Sequence, residues 1–366
     1  MPRPGFAIDL HADTLMPIVH EGHHLDGPAA PIAQVDLDRL ERGGVGAQVF
    51  AIFVTPYWQG ARATARADAL LDLLDAELAR PGVRPRMAPA RTAADITAVT
   101  GGGRIAALAG IEGAHVLDTD PGRIAPFAAR GVRYLTLTWS QANAFGDSSG
   151  SAPVHEGLTA AGRELVRRCE ENGVLVDLSH VHDRTLWDAL DVARHPVIAS
   201  HSSCRAIADH PRNLTDDQLR AIAATGGVIG INLHSAFLEP GWPASARVAP
   251  WRTSTDWPDP MAAESADRHS RTHESRPGAP LSRAVEHVLH ALEVAGPDHV
   301  ALGADFDGGI EPPAGLEDVA GMPALRAALA EAGVDDATLD QVWSVNVLRV
   351  LADADPRFLA ATAGAG

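Results

Sequence analysis

Short runs of apolar, often β-branched residues recur along the chain, separated by stretches whose apolar positions fall three and four apart. The runs predict eight strands, at Phe6–Leu10, Ala47–Val54, Ile105–Ile111, Tyr134–Thr138, Val174–Ser179, Val197–Ser200, Val228–Leu233 and Val300–Ala304. Helices fill most of the intervals. Thr159–Asn172 has its apolar residues at helical spacing and stops before Gly173, a residue type that ends helices by accepting left-handed backbone. Thr215–Ala224 opens on Thr-Asp-Asp-Gln, the spacing at which a hydroxyl and a third-position glutamine cap each other's backbone. Pro280–Ala295 carries an apolar stripe just before the last strand. Strand–helix alternation predicts a parallel α/β sheet, and eight units predict closure into a (β/α)8 TIM barrel. An open doubly wound sheet is the alternative that strand count alone leaves standing.

One segment breaks the rhythm. Residues 239–280 are rich in Pro, Trp, Ser and Arg and show little periodicity. A loop this long inside a compact domain is usually functional or disordered. It reads as a β7–α7 insertion near the mouth of the barrel. Pro312 and Pro313 fall in the exit loop of the eighth strand, and the Ala/Gly-rich tail Asp353–Gly366 is expected to fray. No internal repeat interrupts the chain, so residues 1–366 read as one barrel domain.

Composition narrows the class. Of 366 residues 46% are hydrophobic, enough for a large core, and 21% are charged, which does not suggest disorder. The net charge of −17 argues against nucleic acid as a partner, because phosphate recognition needs clustered Lys and Arg. Cys169, in a helix-like run, and Cys204 form neither a CxxC pair nor a disulfide framework. Met1–Leu10 lacks an apolar stretch long enough for a signal peptide, and no run of about 18 apolar residues predicts a membrane span. The expectation is a cytoplasmic protein.

The 17 histidines make a metal site worth seeking. His11 and Asp13 follow the first strand, Glu112 the third; His180 ends the fifth, His201 the sixth and Asp305 the eighth. In a parallel barrel all these ends gather on one rim. Imidazole and carboxylate are ligands that zinc and similar divalent ions accept, and burying them without a cation is costly. Taken singly, each has a plainer reading as a hydrogen-bonded core or loop residue. His234 follows the seventh strand without an assigned role. His20, His23, His24, His115, His182, His210, His269, His273, His287 and His290 lack this placement and read mostly as surface residues or outer supports of the site.

Seven stretches, in this order and spacing, resemble the membrane (renal-type) dipeptidases, zinc metallopeptidases with amidohydrolase-like barrels. They are Asp9-Leu-His-Ala-Asp13, Gly110-Ile-Glu-Gly113, Arg133-Tyr-Leu-Thr-Leu-Thr138, Val176-Asp-Leu-Ser-His180, Pro196-Val-Ile-Ala-Ser-His-Ser-Ser203, Pro211-Arg-Asn213 and Gly303-Ala-Asp-Phe-Asp-Gly308. The resemblance spans about Ile8 to Leu351. It implies a binuclear zinc hydrolase, with two Zn²⁺ per chain, that cleaves dipeptides by attack of a metal-bridged hydroxide on the amide carbonyl. By the same resemblance Glu112 bridges the ions, His11 and Asp13 complete one site, and His180 and His201 complete the other. Asp305 matches a proton-transfer aspartate, with direct ligation as its alternative. Arg212 matches an arginine that grips the substrate carboxylate, a role its guanidinium fork suits; its alternative is a surface arginine.

The sequence departs from the family at Trp139, where many members carry a histidine that contacts the substrate or the oxyanion. Indole donates one hydrogen bond and carries no charge. Oxyanion stabilisation then falls to the metals or to a neighbour such as Asn143, unless Trp139 simply packs in the mouth. This departure and the insertion motivate a second expectation, a metal-dependent hydrolase of another amide such as an N-acyl amino acid or lactam. A non-catalytic small-molecule binding barrel is the third. The expected partners are a small dipeptide-like substrate and, since family members are often dimers, a second copy of the chain, with no membrane.

Overall fold

The computed structural model describes residues 5–27, 33–242, 259–272 and 278–363, with side chains outside 267–272. Among them nine strands form one parallel sheet: β1 Ala7–Ala12, β2 Val45–Phe53, β3 Met87–Pro89, β4 Ile105–Glu112, β5 Val132–Thr136, β6 Leu175–Asp177, β7 Ile198–Ala199, β8 Val228–Ile231 and β9 Val300–Leu302. Hydrogen bonding runs β2-β1-β9-β8-β7-β6-β5-β4 and returns to β2 through a β2–β4 pairing. Eight strands therefore close into a (β/α)8 barrel, and the open sheet is excluded. All eight expected strands are present. The ninth, β3, was not expected: three residues ending in proline carry no readable period. It pairs with Ile105–Ala107 of β4, and β5 pairs with β4 only from Ala109 onward.

Alternation along the strands sorts side chains between an inner and an outer core. Ile8, Leu10, Ala47, Val49, Ala106, Leu108, Tyr134, Leu175, Ile198, Val228 and Ala301 pack together inside the barrel. Ile105, Ala107, Ala109 and Ile111 pack outward with the helices. The same period carries Glu112 inward. In β1 the period changes. Asp9 pairs with Gln48 and Ala12 with Phe50, so β1 spends three steps where β2 spends two. This extra residue is a bulge. It lets His11 and Asp13 face the mouth although Ile8 and Leu10, of the opposite parity, already line the interior.

The floor of the barrel is closed by the helix Asn346–Thr362, whose Val347, Val350, Leu351 and Ala354 join the inner core. The tail expected to fray is thus helical to Thr362, through Pro356. Tertiary contacts override composition here. Buried Arg133 pairs with Asp355 at 2.9 Å and also donates to the Arg91 carbonyl; its guanidinium carbon lies 4.0 Å from the centroid of the buried Phe358 ring. Removing one member of a buried ion pair strands the other, typically at about 3 kcal/mol or more. Asp355→Ala is therefore expected to lower Tm by roughly 5 °C or more in calorimetry; an unchanged Tm would show that the helix docks without this pair.

Of the expected 239–280 insertion, residues 243–258 and 273–277 lie outside the described residues. The rest includes a helix, Pro260–Thr272, that the weak periodicity did not predict. Among the described residues no helix is long and apolar enough to cross a membrane.

Candidate metal centre

At the C-terminal rim the inward alternation brings Glu112 between two pairs of side chains. Its Oε2 lies 3.7 Å from His11 Nε2, which is 3.5 Å from Asp13 Oδ2. Its Oε1 lies 2.9 Å from His180 Nε2 and 3.5 Å from His201 Nε2. The two histidine Nε2 atoms face each other at 2.9 Å. Among the described residues three groups offer ligand atoms within 4.8 Å of one another: His11, Asp13 and Glu112; Glu112, His180 and His201; and His11, His201 and Asp305. Six side chains separated by up to 294 positions in sequence thus meet at one place.

Neighbouring residues fix how these groups present their lone pairs. Asp177 Oδ2 accepts hydrogen bonds from Ser200 Oγ and Thr136 Oγ1, both at 2.6 Å. Having given its proton to Asp177, Ser200 Oγ accepts from His201 Nδ1 at 2.7 Å. That tautomer leaves His201 Nε2 bare toward the cluster. His11 Nδ1 lies 2.8 Å from the Tyr134 hydroxyl, so Nδ1–H can donate there while Nε2 faces the carboxylates. The Tyr134 ring occupies the space over Gly110, where a Cβ would fall 2.1 Å from a ring atom. His180 and Asp305 hold left-handed backbone, with φ of 67° at each, which is strained for non-glycine residues. The His180 carbonyl accepts from Ser149 N at 2.8 Å and from the hydroxyls of Ser148 and Ser149. Asp305 N donates to the His11 carbonyl at 3.0 Å.

The electrostatics call for positive charge. Burial, with Asp13 and Asp305 adding and His11 opposing, pushes Glu112 up to about 7. Burial, opposed by His11 and aided by Asp13, pushes Asp305 up to about 6. Burial with nearby Arg212 and His11 drives His180 well below the usual imidazole range, and His201 follows for similar reasons. His11 Nε2, Asp13 Oδ1 and His180 Nδ1 are buried without hydrogen-bond partners. A buried set of nitrogen and oxygen lone pairs in this state fits divalent cations of the zinc type.

The sequence profile described as membrane dipeptidase (peptidase family M19) matches residues 5–359. The chain belongs to the M19 membrane dipeptidase family. Dipeptidase verJ of Clonostachys rogersoniana is 33% identical over 336 residues, which cover 89% of this chain and 77% of that protein. The crystal structure of the probable dipeptidase PvdM from Pseudomonas aeruginosa shares the fold at a TM-score of 0.81 and 24% identity, covering 97% of this chain and 96% of that one. A metallopeptidase from Rhodobacter sphaeroides, liganded with a phosphinate mimic of the dipeptide L-Ala-D-Ala, matches at a TM-score of 0.77 and 27% identity over 97% of this chain and 100% of that one. The protein is thus a metal-dependent dipeptidase, a hydrolase of peptide bonds.

Around the metal centre of this M19 dipeptidase, Arg212 is buried rather than on the surface. It donates to the His201 carbonyl at 3.0 Å and to Ser202 Oγ at 3.4 Å, and its Nε has no hydrogen-bond partner. Asn232 donates from Nδ2 to Asp305 Oδ2 at 2.9 Å and accepts from His234 N at 2.6 Å. Trp139 stacks obliquely on Phe53, with centroids 4.8 Å apart, and lies 6.2 Å from the His180 ring. Asn143 commits both ends of its amide to its own loop, donating to the Leu137 carbonyl and accepting from Phe145 N.

Several supports escaped the sequence reading. Tyr134, Asp177 and Ser200 stood inside recognised stretches without roles; a carboxylate in the apolar run Val174–Ser179 was the available signal. His234, left without a role, accepts from Glu311 N at Nδ1. Among histidines read mostly as peripheral, His23 and His287 are core residues, donating to the carbonyls of Val35 and Leu238. His115 is held against the Val54 carbonyl. The side chains of His269 and His273 lie outside the described residues.

Proposed function

We propose that the dipeptidase holds two zinc ions, one on His11 and Asp13, one on His180 and His201, with Glu112 shared. The division of the two Glu112 oxygens between the two pairs is the observation that carries this reading. Bound zinc supplies the charge that activates water and polarises the amide carbonyl. The protein's own groups do the rest. Asp305, held beside His11 and His201 at the cluster, would take a proton from the attacking water and deliver it to the leaving amine. Asn232 holds its Oδ2 in place. Arg212, preset by the His201 carbonyl, receives the substrate carboxylate. The neutral Trp139 walls the mouth beside His180.

The test is elemental analysis with steady-state kinetics. Two zinc ions per chain are expected, with dipeptide turnover lost on chelation and regained on adding Zn²⁺. Purified, zinc-equilibrated protein that binds no metal would refute the assignment. Trp139 favours keeping one second reading, hydrolysis of an N-acyl amino acid or lactam; turnover of those amides but no dipeptide would select it. Arg212→Ala is expected to raise KM by about 10- to 100-fold for dipeptides with a free carboxylate. Dipeptide amides should show little change, and equal effects on both would remove Arg212 from carboxylate binding.

A further inference from the structure

A cavity of about 260 Å³ opens beside the metal centre on the exit loops of β2, β4 and β5, lined among others by Pro56, Trp58, His115, Asp118, Trp139 and Gln141. Trp139 forms the wall it shares with the metal centre, through its proximity to His180. In the ring of strands β2 stands opposite β7, whose exit loop carries Arg212, and β4 and β5 follow β2 round the rim toward β6. A dipeptide held by its carboxylate at Arg212, with its amide over the metal-binding cluster, would extend its amino-terminal residue toward the β2 side of the rim, where this cavity opens.

The lining has a definite chemistry. Two indoles and a proline supply flat apolar surface. His115 is held neutral, pushed down to about 4 by burial. Among the described residues no lysine or arginine lines the cavity, and the charge present is that of Asp118, loosely paired with Arg123 at 3.9 Å. Flat apolar walls favour large side chains, and the loosely paired Asp118 carboxylate repels acidic ones.

One wall is fixed from far away in the sequence. Glu264, on the helix Pro260–Thr272, is 1% exposed. Its Oε2 accepts from Trp58 Nε1 at 3.0 Å and from Arg66 Nη2 at 3.2 Å. The Arg66 guanidinium carbon in turn lies 5.1 Å from the Trp58 ring centroid. Glu264 of the insertion thus holds the polar edge of Trp58, and Arg66, which Glu264 also binds, lies over its face.

We propose that this cavity is the subsite for the amino-terminal side chain of the dipeptide, that it selects bulky uncharged side chains over acidic ones, and that Glu264 is the positioning residue that sets its Trp58 wall. The inference rests on the dipeptide reading above.

The test uses the zinc-loaded enzyme with Gly-Ala, Phe-Ala, Trp-Ala and Glu-Ala. For wild type, kcat/KM for Phe-Ala and Trp-Ala should exceed that for Gly-Ala by about tenfold, and Glu-Ala should fall about tenfold below it. Gln141→Arg, a change at a partly exposed position, should raise the Glu-Ala to Gly-Ala ratio by about tenfold. Glu264→Gln should lower the Phe-Ala to Gly-Ala ratio severalfold, mainly through KM, and Trp58→Ala should lower it further. Ratios that stay at their wild-type values in all three variants, even where overall activity drops, overturn the subsite. A normal ratio in Glu264→Gln with altered ratios in the other two overturns the positioning role alone. A metal-replete wild type that cleaves no dipeptide sinks the dipeptide reading, and the subsite with it.

Discussion

Glu112→Gln should abolish dipeptide turnover, by a factor on the order of 10⁴, and lower bound zinc to one ion per chain or fewer. The substitution preserves size and replaces one carboxylate oxygen with an NH2 group that has no lone pair to give a metal. Because Oε1 faces His180 and His201 and Oε2 faces His11, one change reaches both halves of the centre. The metal-free fold should respond in the opposite sense. Burial raises the Glu112 carboxyl from its ordinary 4.5 to about 7. An acid raised on folding costs nothing below pH 4.5, destabilises increasingly from there to about pH 7, and keeps its full penalty above. Chelated wild type should therefore lose stability across that window, and chelated Glu112→Gln should lose less. Two zinc ions and normal kcat in the variant would overturn the shared-ligand role.

Asp305→Asn is expected to cut kcat by about 10³-fold while zinc content stays at the wild-type level. Asparagine keeps the size and an oxygen that can accept from Asn232, so the local backbone has no reason to move. What it lacks is a titratable proton. Asp305 also stands in a ligand group with His11 and His201, which makes zinc analysis of the variant the decisive readout. Loss of an ion would make Asp305 a ligand and transfer the proton-carrying role elsewhere.

The barrel was legible because each wall strand is a dense apolar run, and the rim chemistry was legible because its polar residues interrupt those runs at their ends. Glu112 after Ile105–Ile111 and His180 after Val174–Ser179 are the clearest cases. Legibility failed where structure depends on distant partners. Three-residue β3 exists because β4 offers it an edge. The helical tail exists because Arg133 and the packing of Phe358 hold it. Pro260–Thr272 carries a carboxylate whose partners lie about 200 positions upstream. Tautomer control was invisible for the same reason: the serine that orients His201 is its chain neighbour, but the aspartate that orients the serine is on another strand.

The added residue in β1 gives chain length a chemical meaning. Half of the proposed zinc centre is on the correct side of the sheet only because that strand is one position longer than its partner between two fixed pairings. A one-residue slip of the strand that smoothed this bulge would leave every ligand correctly spelled, yet turn an imidazole and a carboxylate away from their counterparts. Substitution scans would never sample that failure. In this strand, counting residues matters as much as naming them.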